Sequence, residues 1–92
     1  MSRKAIFGGS FDPPTIGHRW LLGEGAQLFD ELIVVVGTNS AKNHFFTATE
    51  RSEMVKRIVQ SLPNVSVEIL EDQYLVQFAA AHQARYLLRS MR

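Results

Sequence analysis

Five consecutive apolar residues, Leu32-Ile33-Val34-Val35-Val36, run without interruption into Gly37. Branched side chains of this kind lose rotamer freedom in a helix and fit the pleat of a strand. A strand wet on one face alternates apolar with polar residues, so an unbroken run predicts a strand covered on both faces. That is the position of a central strand in a parallel sheet layered between helices.

The rest of the chain supplies such layers. Lys4-Ala5-Ile6-Phe7, ended by Gly8-Gly9, predicts an earlier strand, and Trp20, Leu21, Ala26, Leu28 and Phe29 fall on a helix-like segment from near Gly17 to before Asp30. Strand, helix and strand make a βαβ unit. The sequence Thr47-Ala48-Thr49-Glu50 then has the capping-box pattern, with Met54, Val55, Ile58, Val59 and Leu62 following at helical spacing until Pro63-Asn64. Val65 to Leu70 predicts a third strand. Leu75, Phe78, Ala79 and His82 recur at helical intervals, and Tyr86-Leu87-Leu88 predicts a fourth strand. The order β-α-β-α-β-α-β implies an α/β fold with a parallel, doubly wound, Rossmann-like sheet and right-handed crossovers. A chain of 92 residues has room for one such domain, spanning 1–92. Met54, Phe78 and Tyr86 are expected in its core, His44 on a loop surface and His82 at the border of a helix face.

Composition narrows the partners. Ten Lys and Arg against nine Asp and Glu give a net charge of +1 with no basic block, so nucleic acid is not an expected partner. Cysteine is absent, which removes disulfides and thiolate metal sites. No apolar run approaches membrane-spanning length, and Met1 to Lys4 leads into a strand rather than a signal-peptide core; a cytoplasmic protein is expected.

In doubly wound sheets ligands sit beyond the carboxyl ends of the strands. Four segments form that edge: Gly8 to His18, Gly37 to Phe46, Leu70 to Leu75, and Arg89 to Arg92. The first is the most informative. Gly8 and Gly9 permit close backbone approach, and a helix start offers unpaired N–H groups to an anion. Taken singly, these residues are an ordinary tight turn with Asp12 or Thr15 as helix cap.

In combination, Gly9-Ser10-Phe11-Asp12-Pro13 followed by Thr15-Ile16-Gly17-His18 resembles the signature of the nucleotidyltransferase superfamily. Leu28-Phe29-Asp30-Glu31, Ser40-Ala41-Lys42, Phe46-Thr47, Glu50-Arg51 and Leu88-Arg89-Ser90-Met91-Arg92 are similar to its phosphopantetheine adenylyltransferase family, as is Thr at position 15. The resemblance implies a nucleotidyltransferase-type fold and adenylyl transfer from ATP to 4'-phosphopantetheine, giving dephospho-coenzyme A and pyrophosphate. It implies catalytic roles for Ser10, Lys42 and His18, with ATP contacts from Gly9, Ser10, Phe11, His18, Ser90, Met91 and Arg92. Substrate contacts are implied for Ser10, Lys42, Leu75 and Arg89, and a homohexamer for the assembly. The Leu75 assignment depends on a one-residue insertion between Val67 and Tyr74.

The chemistry agrees with this donor set. An ionised phosphate needs no general base, whereas anion attacking anion needs charge compensation, which His18, Lys42, Arg89 and Arg92 supply. Mg2+ is expected to travel with the ATP phosphates, with no dedicated metal site, because Asp12 is the only carboxylate in the turn. Relatives of the resembling family continue into a Ser-Ser helix start that grips the triphosphate, and no Ser-Ser pair occurs in this chain. The domain is therefore expected to be incomplete at its C-terminal end. Ile16 in place of Asn, and Ser90-Met91 in place of Gly-Leu, are further departures. Alternatives are nucleotidyl transfer onto nicotinate or nicotinamide mononucleotide or a polyol phosphate, and a truncated nucleotide-binding module without turnover.

Overall fold

The apolar run lies where its side chains require. In the computed structural model, which describes residues 3–39 and 43–89, it forms β2 (Glu31–Thr38), with β1 (Lys4–Gly9) on one side and β3 (Val65–Glu71) on the other. β4 (Tyr86–Arg89) pairs with the far side of β1, so the sheet order is β3-β2-β1-β4 and every pairing is parallel. The helices are α1 (Ile16–Leu28), α2 (Ala48–Val59) and α3 (Leu75–Ala81), the last preceded by a 3-10 turn over Asp72–Tyr74. No described helix is long and apolar enough to cross a membrane.

Successive strand residues point to opposite faces, and the two faces have separate cores. Leu32, Val34 and Val36 of β2 join Ala5 and Phe7 of β1 against Leu22, Phe29, Val55 and Val59. On the other face Ile6, Ile33 and Val35 meet Leu75 and Ala79 of α3. Each fully buried aliphatic side chain contributes about 1.5–3 kcal/mol of transfer free energy. The βαβ order and the double coverage of β2 follow the sequence expectation.

Three details depart from it. Helical spacing located α1 but not its buried face: Leu22 and Gly25 turn inward, while Trp20 and Leu28 are 64% and 60% exposed. Gly25 allows a close approach there: an added Cβ would lie 3.2 Å from Leu32 Cδ2, which would have to give way by a few tenths of an ångström. Tyr86 is 41% exposed rather than core. The reason is topological, since β4 is an edge strand and all four of its residues are exposed. Met54 and Phe78 are half-buried at the margins.

Candidate nucleotide site at the strand ends

The strand order reverses direction between β1 and β4, which makes that junction the switch point of the sheet and the natural crevice for a ligand. Gly8 is in register with Arg89 across it. The sequence places a glycine turn and a guanidinium at the same point, and the parallel pairing brings them together.

The turn after β1 owes its shape to Phe11. Its φ of 51° lies in the left-handed region, which a side chain of this size adopts at a cost. Burial offsets that cost: the Phe11 ring is 1% exposed, 6.1 Å from the Phe7 ring and edge-on to the His18 imidazole at 4.8 Å. With its ring in the core, Phe11 can offer a ligand only its main chain. Ser10 is exposed beside it.

His18 closes the start of α1 as the third residue of a capping box with Thr15. The His18 N–H donates to Thr15 Oγ1 at 3.3 Å, and the Thr15 N–H donates to His18 Nδ1 at 3.0 Å. A backbone N–H only donates, so Nδ1 is the accepting nitrogen and the neutral ring carries its proton on Nε2. Partial burial holds the His18 pKa below the ordinary histidine value. The ring is therefore neutral at physiological pH and still a hydrogen-bond donor. Asp12 is no helix cap; that role falls to Thr15.

Asp12 instead reaches across to the segment between β2 and α2. Its carboxylate accepts from the Phe45 N–H at 2.7 Å and the Phe46 N–H at 2.9 Å, and lies 3.3 Å from His44 Nδ1. Burial works against the charged carboxyl, but these hydrogen bonds and the imidazole outweigh it and hold the Asp12 pKa below the usual carboxylate range. His44 is consequently half-buried, not a surface loop residue.

Arg51, in the first turns of α2, ties the same pieces together from beneath. Its side chain is 2% exposed; Nε donates to Phe46 O at 3.0 Å, and Nη1 donates to Ser10 O and Gly37 O, both at 2.8 Å. One guanidinium thus fixes the β1 turn, the end of β2 and the following loop. Its own helix is set by the expected capping box, with Thr47 and Glu50 exchanging hydrogen bonds at 2.9 and 3.1 Å.

Of the residues expected at the site, Gly9, Ser10, Phe11 and His18 lie together on the turn, and Arg89 stands at the exposed end of β4. Leu75 is buried against the turn, since a Cβ on Gly8 would sit 2.9 Å from Leu75 Cδ2. Lys42, Ser90, Met91 and Arg92 lie outside the described residues. Sequence reasoning missed Asp12, His44 and Arg51 as organisers of the site. Asp12 and the Glu50-Arg51 pair carried a signal through the family resemblance, but nothing local announced that the arginine would be buried or that the aspartate would bond to the loop before α2.

A family model described as cytidylyltransferase-like matches residues 6–92. Phosphopantetheine adenylyltransferase from Neisseria meningitidis serogroup C is 40% identical over 90 residues, covering 98% of this chain and 53% of the relative. Its counterpart from Chromobacterium violaceum is 39% identical over 90 residues, covering 98% of this chain and 55% of the relative. The chain thus spans about half the length of the curated relatives it matches. The solved lipopolysaccharide core biosynthesis protein from Thermoplasma volcanium GSS1 superposes with a TM-score of 0.73 at 24% identity, over 95% of this chain and 73% of that one, and shares the fold.

Proposed function

The chain belongs to the cytidylyltransferase-like family, and from that membership we propose that its strand-end edge binds ATP and a phosphorylated acceptor for adenylyl transfer, with 4'-phosphopantetheine as the acceptor. The observation that carries this reading is the β1–α1 turn, where a left-handed Phe11, an exposed Ser10 and a neutral, proton-donating His18 sit at the switch point beside Arg89.

In this reading an oxygen of the acceptor phosphate attacks the α-phosphorus of ATP, the bond to the β-phosphate oxygen breaks, and pyrophosphate leaves. No proton has to be removed from the nucleophile. His18 Nε2–H and the N–H groups at the start of α1 stabilise the charge that grows on the α-phosphoryl oxygens, Arg89 neutralises phosphate from the β4 side, and Lys42 serves the acceptor phosphate. A donor that needs no prior protonation suits a reaction run at neutral pH. Magnesium enters as part of the substrate MgATP, because the turn's carboxylate, Asp12, is already committed to Phe45, Phe46 and His44.

The test is pyrophosphate release from MgATP with 4'-phosphopantetheine, nicotinate mononucleotide or glycerol phosphate. His18→Ala is expected to lower the rate by roughly a hundredfold or more, the usual cost of one such donor. Turnover unaffected by His18→Ala would remove His18 from the chemistry, and preference for another acceptor would reassign the substrate. The alternative is a nucleotide-binding module without turnover. ATP binding with no pyrophosphate release from any acceptor would select it.

A further inference from the structure

Among the described residues, His44 Nε2 is the buried side-chain nitrogen or oxygen that no hydrogen bond satisfies. Leaving such a group unpaired is costly, and native structures rarely keep one without a purpose. The ring is not idle packing, because its other nitrogen is held by Asp12. Nor is the loop short of room, since the adjacent Phe45 is 88% exposed.

The Asp12 contact also sets what the orphan nitrogen can do. A carboxylate only accepts, so the Nδ1 nitrogen carries the proton in this pair, and the neutral ring presents Nε2 as a lone pair. This is the reverse of His18, whose Nδ1 accepts and whose Nε2 donates. The two histidines of the strand-end edge thus offer opposite hydrogen-bonding characters. An ionised phosphate suits a donor such as His18 Nε2–H, whereas a lone pair at His44 Nε2 suits a donor on the ligand.

His44 lines a cleft of about 460 Å³ beyond the ends of β2 and β3, whose walls include Thr38, Asn39, Thr47, Arg51 and Glu71. The Arg51 Nε and Nη1 groups go to backbone carbonyls, the Phe45 and Phe46 N–H groups go to Asp12, and the Thr38 and Thr47 hydroxyls line the same cleft without bonding to Nε2. The cleft leaves room for a donor brought in from outside. Along the chain, His44 follows by two residues Lys42, the lysine expected to meet the acceptor phosphate.

Resting on the adenylyl-transfer reading, we propose that His44 is a specificity-determining residue for the acceptor, its Nε2 accepting a hydrogen bond from a hydroxyl or amide N–H on the acceptor's organic arm. Asp12 acts through it as a positioning residue, fixing the tautomer. The site then distinguishes the two ends of its acceptor: donors for the phosphate, and a lone pair for the arm. Sites built around one polar contact discriminate strongly against ligands that lack the matching group.

The experiment compares binding of 4'-phosphopantetheine and of inorganic phosphate, which has no arm, to the 92-residue chain. It uses the wild type, His44→Phe, which keeps a ring without the lone pair, and His44→Gln, whose amide oxygen can take its place. His44→Phe is expected to weaken 4'-phosphopantetheine by about ten- to a hundredfold, to leave inorganic phosphate within about twofold, and His44→Gln to restore most of the loss. On the wild type, imidazole 15N NMR should show the His44 Nε2 resonance moving with 4'-phosphopantetheine and staying still with phosphate; this readout holds even if a variant fails to fold. Equal loss of both ligands, an unchanged affinity for 4'-phosphopantetheine, or a static Nε2 resonance on saturation would overturn the proposal and leave the adenylyl-transfer reading standing. Failure of the wild type to bind either ATP or 4'-phosphopantetheine would instead overturn both.

Discussion

The two halves of the strand-end edge are built differently. Over β1 and β2, the turn, the strand end and the loop before α2 are bonded to one another by a buried arginine and a half-buried aspartate. Over β4 the described residues show backbone pairing to β1 and a ring contact of Tyr86 with Phe29 at 5.1 Å, and Tyr86, Leu87 and Leu88 are all exposed. The first half is held in shape by its own side chains, the arrangement that adenylyl transfer by electrostatic stabilisation would call for. Among the described residues, the second locates Arg89 by its strand register with Gly8.

If this contrast is right, perturbations should be unequal, and the largest is Arg51→Met. It keeps the volume of the side chain but strands three carbonyls, Ser10 O, Gly37 O and Phe46 O. A loss of about 3 kcal/mol or more is expected, read as a fall in the urea midpoint at constant slope. Next is Thr15→Ala, which removes the hydroxyl that caps α1 and should cost about 1 kcal/mol in thermal unfolding. On the other half, Leu88→Ser is expected to cost about 0.5 kcal/mol or less, as exposed positions do. A Leu88 variant as damaging as Arg51→Met would break the comparison.

The smallest effects are local and depend on pH. The Asp12 pKa is lowered, so its clamp is present above the unfolded value of 3.8 and is lost as pH falls through the folded value. Amide exchange at Phe45 and Phe46 should quicken only below pH 3.8, before the core opens. The His18 pKa is also lowered, here by burial of a base. The unfolded chain takes up the proton first, so stability declines modestly as pH drops through the ordinary histidine range near 6.5. An acid loss of stability that spares the turn and begins at β4 would reverse the picture.

Much of this molecule was legible from residue order. The run of β2 was legible as a strand covered on both faces because it is short, rich in β-branched residues, ended by Gly37 and apolar at every position. Thr47 and Glu50 announced α2 because capping is satisfied within one turn of chain. The glycine turn and His18 were found for the same reason: strand, turn and helix start are contiguous, so their geometry is encoded locally. Tyr86 was misplaced because its burial depends on what lies beside β4, which no local pattern reports.

Tertiary structure alone decided the rest. That Arg51 would be buried, that Asp12 would grip a loop more than thirty positions away, and that His44 would be turned inward are all consequences of which segments the parallel crossovers bring together. A charged side chain in isolation prefers water, and its preference reverses only when several backbone carbonyls converge on it. The sequence by itself determined the strands, the helices and the glycine turn between β1 and α1, because those rest on periodicity and near-neighbour hydrogen bonds. The fold decided which groups hold that turn in shape and which partners His44 and Asp12 find, because those rest on segments that meet only after the sheet has formed.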